Sequence, residues 1–143
     1  MKYLKISLIA FAITLLLAAA GISAAPSYQT YVGLSIPALK KVLVKGPQIK
    51  TETGLQFYDN TGTINSCTGN ENGIMVAVKS EAGGQSSWLI LKSAGQSGAW
   101  ANDNKSNVKR AYNLLLRNYT GSPCQAKHSG SWYLDKSAYN LIH

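Results

Sequence analysis

The segment IMVAVKSEAGGQSSWLILKS (residues 74–93) decides the fold class, because it has the pattern of two strands joined by a turn. Residues 74–80 and 87–93 are rich in aliphatic side chains, and residues 81–86 between them contain a Gly-Gly pair. Both predicted strands are so apolar that we expect them to lie at the centre of a sheet. The segment therefore predicts a strand–turn–strand unit in the middle of a β protein.

The chain before this segment also has the alternating pattern of strands. The alternation is clear in residues 28–36, after which Pro37 ends regular pairing. Residues 39–44 form a second apolar run, which we expect to stop at Gly46-Pro47. The remaining strands predicted in this half are residues 49–53, 55–58 and 63–67, with residues 59–62 as a turn.

Residues 108–118 (VKRAYNLLLRN) fit either a strand or a helix. As a strand, the segment places alternate apolar residues from Val108 to Leu116 on one face; as a helix, it gathers Val108, Ala111 and Leu115 in one stripe. The Asn-rich sequence before it and TGSP after it favour the strand. Alternation continues from Cys124 to His128, and residues 136–143 form either a short helix or a final edge strand.

These segments predict an all-β fold, a small antiparallel β-sandwich or barrel with one disulfide. The layout is similar to that of small secreted β-sandwich proteins of Gram-positive bacteria, on VKRAYN (residues 108–113) and SGSWYLD (residues 129–135). This resemblance implies the fold and carries no activity with it.

The first 25 residues have the composition of a secretory signal segment. Lys2 and Lys5 precede an apolar stretch at residues 6–17, and small residues follow at 18–25. An uncleaved membrane anchor, the alternative, would need about 20 apolar residues, and the change to small residues after Leu17 favours cleavage. We therefore expect a cleaved N-terminal signal helix at residues 1–25, followed by a single secreted β domain at residues 26–143.

The two cysteines of the chain, Cys67 and Cys124, allow one intramolecular pairing. In an exported protein we expect them to form a disulfide, which would remove on the order of 4 kcal/mol of unfolded-state entropy. We expect no metal site and no cofactor, because the chain has no CxxC motif and its only histidines are His128 and His143.

The charge of the chain is strongly basic, with a formal net charge of +8. Lys40, Lys41, Lys45 and Lys50 come early in the domain, and a second basic group includes Lys105, Lys109, Arg110, Arg117 and Lys127. Such an excess attracts anionic surfaces, and no nucleic-acid-binding motif accompanies it. Trp100 lies between polar segments, whereas Trp88 and Trp132 are expected in the core. The candidates for binding an anionic cell envelope are Lys40, Lys41, Lys45, Trp100, Lys109 and Arg110.

Catalysis is not expected from this sequence. Ser129, Ser131 and Asp135 lie near His128, but a triad is assembled across a fold and not by proximity in sequence. The expected function is therefore binding to an anionic cell membrane or surface, in a bacteriocin-like or toxin-like role. The alternative is an extracellular binding module or inhibitor for a protein or glycan, and a small hydrolase is the third class.

Overall fold

The structure, a computed structural model, describes residues 28–100, 110–119 and 123–143. The predicted signal segment and its cleavage therefore lie outside the described residues, as do Val108 and Lys109. The described elements are β1 (Tyr28–Ile36), β2 (Leu43–Ile49), β3 (Gln56–Asn65), β4 (Ile74–Ser80), β5 (Leu89–Leu91), β6 (Ser97–Trp100), β7 (Ala111–Asn118), β8 (Ala126–Tyr133) and α1 (Lys136–Asn140).

These strands form two four-stranded antiparallel sheets that pack as a β-sandwich. Sheet I has the strand order β1-β8-β3-β6, and sheet II has the order β2-β7-β4-β5. Alternate residues of both sheets meet in one core, where Tyr58, Val76, Leu114 and Trp132 have no exposed surface. The prediction of an all-β antiparallel sandwich is confirmed, and so is the strand interpretation over residues 111–118.

Two strand predictions in this part of the chain are wrong: the strand end at Gly46-Pro47, and the strand at residues 49–53, most of which form the connection between β2 and β3. β2 does not stop at Gly46-Pro47 but passes through it, with a register shift between Lys45 and Gln48. Proline is tolerated there because β2 is an edge strand and one side of it needs no partner. β1, the edge strand of sheet I, has a similar shift between Tyr31 and Leu34, where Gly33 adopts a φ of 60°.

The turn predicted at residues 59–62 is also wrong, because β3 continues through it with a bulge. The side-chain Oδ1 of Asn60 accepts hydrogen bonds from the Gly62 N–H and the Thr63 hydroxyl. These local bonds replace the ladder bonds lost at the bulge, so a sequence with turn composition remains part of a strand.

The prediction that residues 74–93 form two strands joined by a turn is confirmed, but only β4 lies at the centre of sheet II. β4 lies between β7 and β5, whereas β5 is a three-residue edge strand. The pairing is shortened because the Ser86 hydroxyl, and not a β5 carbonyl, accepts the hydrogen bond of the Val78 N–H. Ser87–Ser93 therefore does not form the second central strand that its composition predicts.

The predicted disulfide between Cys67 and Cys124 is present, with Cα atoms 5.9 Å apart. Cys67 follows β3 and Cys124 precedes β8, and these two strands are neighbours in sheet I. The bridge therefore ties together adjacent strand ends that are 57 residues apart in sequence.

One lysine of the basic groups is not at the surface. Lys50 is fully buried, and its Nζ donates to the Leu134 carbonyl at 2.6 Å and lies 3.8 Å from Asp135 Oδ1. The Asp135 carboxylate also accepts a hydrogen bond from the Thr51 N–H at 3.1 Å. A buried lysine beside a buried carboxylate meets the condition under which such charges are found inside proteins.

Candidate functional site

The exposed basic candidates do not form one cluster. Lys40 and Lys41 are exposed in the turn between β1 and β2, and Arg110 is exposed directly before β7. Because Ile49 at the end of β2 pairs with Ala111, Arg110 lies at the end of β2 opposite to Lys40 and Lys41. A strand of seven residues separates the two groups by roughly 20 Å.

Two other candidates are less available than predicted. Lys45 pairs with Leu114, whose side chain faces the core, and Lys45 is half-buried at the sandwich edge. Trp100 retains only 3% of its surface, and its Nε1 donates to the Ser87 carbonyl at 3.1 Å. Its partner across the strands is the inward-facing Gln56, so the alternation directs the indole into the core. Trp100 is therefore a core residue and not a surface anchor; Lys109 lies outside the described residues.

A different surface, the sheet II outer face, gathers apolar and cationic side chains that the sequence does not place together. It consists of the outward residues of the four strands of sheet II: Val44 and Ile49 on β2, Leu115 and Arg117 on β7, Met75, Ala77 and Lys79 on β4, and Ile90 on β5. Val44, Ile49 and Ile90 have 55%, 58% and 47% of their surface exposed. These values are high for large aliphatic side chains on one sheet face.

A groove of about 550 Å³ crosses this face. Its apolar part is formed by Val42, Val44, Leu115 and Trp88, and its polar part includes Lys79. The prediction that Trp88 lies in the core is wrong, since its indole is half-buried in this groove. The Arg117 guanidinium lies 4.2 Å from the centre of the Trp88 ring, a cation–π contact.

The charges around the sheet II outer face are mainly positive. Lys79 and Lys92 are exposed and Arg117 is half-buried, while Glu81 in the β4–β5 turn is the acidic residue in the groove lining.

Other carboxylates of the described residues are engaged within the fold. Glu52 accepts from the Ser137 N–H at 2.6 Å, Glu71 accepts from the Thr63 N–H at 3.3 Å, and Asp59 lies 2.7 Å from His143 Nε2. Asp135 is buried beside Lys50. Glu71 is nevertheless exposed, and the positive outward charge follows from the excess of 14 Lys and Arg over 6 Asp and Glu residues in the chain.

His128 lies on the inner face of sheet I and is fully buried. Its two ring nitrogens lie 2.6 Å from the Tyr58 hydroxyl and 2.7 Å from the Thr63 hydroxyl. Burial lowers the pKa of His128 from 6.5 to about 4, so the imidazole is neutral at pH 7. Ser129 and Ser131 alternate with His128 along β8 and belong to its outward face. His128 and the two serines therefore point to opposite faces of β8, although they are close in sequence.

An aromatic cluster lies at one end of the outward face of sheet I. Tyr139 of α1 stacks on Phe57 with ring centres 4.2 Å apart, and Tyr28 stacks on Tyr133 at 5.8 Å. His143 contacts the Tyr139 ring at 4.4 Å. Because α1 folds back over the sheet, Tyr133 is almost fully buried, whereas Tyr28 remains 52% exposed.

Neither a metal centre nor a membrane-spanning helix is found in the described part of the chain. No group of three His, Cys, Asp or Glu residues there could hold a metal ion. The helical segments in these ranges are too short and too polar to cross a bilayer. No protein-family model matches the sequence, and comparison with curated proteins finds no match.

Proposed function

We propose that the protein is exported and binds an anionic cell envelope through the sheet II outer face. The observation that supports this most is the combination, on one face, of exposed aliphatic side chains with Lys79 and Arg117. Surface cations attract an anionic surface, and aliphatic contacts retain the protein there. Lys40 and Lys41 are exposed in the turn next to Val42 of the groove lining, so this turn adds positive charge near one end of the face.

The disulfide is consistent with an oxidising compartment, where such bonds persist. Together with the predicted signal segment, it supports a secreted protein that acts on an envelope from outside. A bacteriocin-like or toxin-like role is the form of this function in which the envelope belongs to another cell. Binding, and not catalysis, is the proposed activity.

The test is binding to isolated cell envelopes as a function of salt. We expect the double variant Lys41→Gln/Lys79→Gln to bind roughly 30-fold more weakly at low salt, since each lysine near an anionic surface contributes about 1 kcal/mol. The affinity of the wild type should fall as salt rises, because the screening length is about 8 Å at physiological ionic strength.

The matched control is Lys127→Gln/Lys136→Gln, which removes the same charge from exposed positions outside sheet II. We expect this control to bind nearly as well as the wild type. Equal losses in the two double variants, or wild-type binding that is indifferent to salt, would contradict the proposal.

A second candidate function is a binding module or inhibitor for an extracellular protein or glycan, which the aromatic cluster on sheet I favours. Tyr28 presents an exposed ring on that face, and such rings stack on sugars and on protein side chains. Binding that persists at high salt and is lost in Tyr28→Ala would support this candidate instead.

A further inference from the structure

We propose that the envelope component bound by the sheet II outer face is the anionic phospholipid bilayer, on which sheet II lies flat. This inference rests on the proposed function and goes further, because an envelope also contains anionic sugar–phosphate polymers. The two partners share phosphate groups and differ in what surrounds them: acyl chains in the bilayer, and sugar or polyol units in the polymer.

The exposed large side chains of this face fit lipid better than polymer. Val44, Ile49 and Ile90 of this face, together with Val42 of the groove lining, are aliphatic and 44–58% exposed. Aliphatic side chains lose contact with water when they enter the acyl boundary of a bilayer. A hydrated polymer of sugar and phosphate offers them no comparable environment.

The single aromatic residue of the groove lining also favours lipid. Glycan recognition needs an open ring face, but the Arg117 guanidinium lies 4.2 Å from the centre of the Trp88 ring and covers one face. Indole at the headgroup level and a guanidinium that binds phosphate are both typical of a membrane interface. The Trp88–Arg117 pair thus places both groups side by side.

The aliphatic and cationic side chains are spread across the width of sheet II, as contact with a planar surface requires. Val44 and Ile49 lie on one edge strand and Ile90 on the other, so aliphatic contacts are about 14 Å apart at three strand spacings. Lys79 and Arg117 belong to the two strands between them. A headgroup layer can contact both edges and the central cations at once, whereas a single polymer chain would occupy only the groove.

A second copy of the chain fits this face poorly. A symmetric pairing would bring two copies of this positively charged face together, and facing surfaces of like charge repel. Charge complementarity therefore favours an anionic partner over self-association.

Trp88 provides the reporter for the test, because Trp100 and Trp132 are 3% and 0% exposed. The full mature protein is mixed with vesicles of phosphatidylglycerol and phosphatidylcholine whose acyl chains carry bromine, a contact quencher of indole fluorescence. We expect quenching with these vesicles, little with pure phosphatidylcholine, and a loss of most of the quenching in Trp88→Phe.

The aliphatic contribution is tested with a matched pair of double variants. Val44→Asn/Ile90→Asn changes the sheet II outer face, and Val32→Asn/Ile64→Asn changes side chains of 85% and 46% exposure on sheet I. We expect the first pair to weaken vesicle binding at least tenfold, and the second to leave it within about twofold of the wild type. Equal weakening in both would overturn the inference.

Soluble poly(glycerol phosphate) distinguishes a failure of the lipid inference from a failure of the proposed envelope binding. Binding to this polymer or to isolated walls, without binding to anionic vesicles, would overturn the lipid inference and leave envelope binding standing. If the protein binds none of the polymer, the isolated walls and the vesicles, both the lipid inference and the proposed envelope binding are overturned.

Discussion

At the scale of single residues, the buried His128 gives the fold a sensitivity to acid. Its imidazole is enclosed between the Tyr58 and Thr63 hydroxyls. Gly130 makes room for this contact, because a Cβ there would come within 2.8 Å of the Tyr58 hydroxyl. The native interior thus accepts the neutral ring and disfavours a charged one.

This environment predicts a pH dependence of stability. The pKa of His128 is about 4 in the native state against 6.5 in an unfolded chain, so the unfolded chain binds a proton first as the pH falls. The stabilisation is complete above pH 6.5 and is lost as the pH falls towards 4, by about 3 kcal/mol. Urea unfolding at a series of pH values measures it.

The comparison for this prediction is His128→Gln, which keeps hydrogen-bonding groups but does not titrate. We expect the free energy of unfolding of this variant to change less between pH 7 and 4 than that of the wild type. An identical slope in variant and wild type would contradict the role of His128.

The three tryptophans show what residue-level reasoning can predict. Each follows a small polar run, and the core position of Trp132 is predicted correctly. Trp100 is buried and Trp88 lies on the outer face, which is the reverse of what the sequence predicts. The partner strand and its register decide which face of the sheet a residue occupies. Trp100 pairs with the inward-facing Gln56, and Trp88 precedes the short β5 on the outward side. No signal in the isolated sequence specifies either register.

At the scale of elements, α1 is the part held by the fewest strand contacts, and its anchors are specific. The Glu52 carboxylate accepts a hydrogen bond from the Ser137 N–H, and Tyr139 stacks on Phe57 of β3. A helix of five residues is not stable by itself, so these contacts hold it against sheet I.

We therefore expect Tyr139→Ala to lower the free energy of unfolding by roughly 1–2 kcal/mol, through the lost ring stack and apolar contact. It should also speed hydrogen exchange of the Leu141 and His143 amides, which donate to α1 carbonyls. Urea unfolding and amide exchange measure the two effects.

Tyr28→Ala is the matched control, because it removes a stacked but 52% exposed tyrosine from the same face. We expect a smaller loss of stability and unchanged exchange at Leu141. Equal exchange in both variants would show that Tyr139 does not anchor α1.

Strand composition predicts elements well where packing and hydrogen bonding agree with it. Ile74–Ser80 is a strand with the predicted bounds, since both its neighbours in sheet II pair with it. The breaks predicted at Gly46-Pro47 and residues 59–62 fail because strands next to β2 and β3 maintain pairing across a bulge. Local turn composition cannot reveal a partner strand that is distant in sequence.

At the scale of the whole molecule, the Cys67–Cys124 bridge joins the end of β3 to the start of β8. We expect Cys124→Ser to lower the free energy of unfolding by roughly 2–5 kcal/mol, because the unfolded chain regains the freedom of a 57-residue loop. Urea unfolding measures the change. Reduction of the wild type should cause a similar loss, and two alkylatable thiols in the native protein would contradict the bridge.

The sandwich class and the disulfide can thus be predicted from the sequence, but the candidate binding face cannot. Among the basic candidates in the described residues, Lys40 and Lys41 lie at the end of β2 opposite to Arg110. Lys45 is half-buried at the sandwich edge. The sheet II outer face exists only because four separate strands align their outward residues. Its parts are distant in sequence and look unremarkable one by one.

The interrupted edge strands of the sandwich affect how crowded copies of the protein contact one another. A protein that gathers on a membrane is concentrated into two dimensions, where exposed strand edges of neighbouring copies meet often. Among the described edge strands, β1 is bulged at Gly33, β2 has a register shift at Gly46-Pro47, and β5 and β6 have three and four residues. Such edges offer no long row of free N–H and C=O groups for another copy to extend. The membrane binding proposed above would therefore bring copies close together without offering them a strand edge on which fibrils could grow.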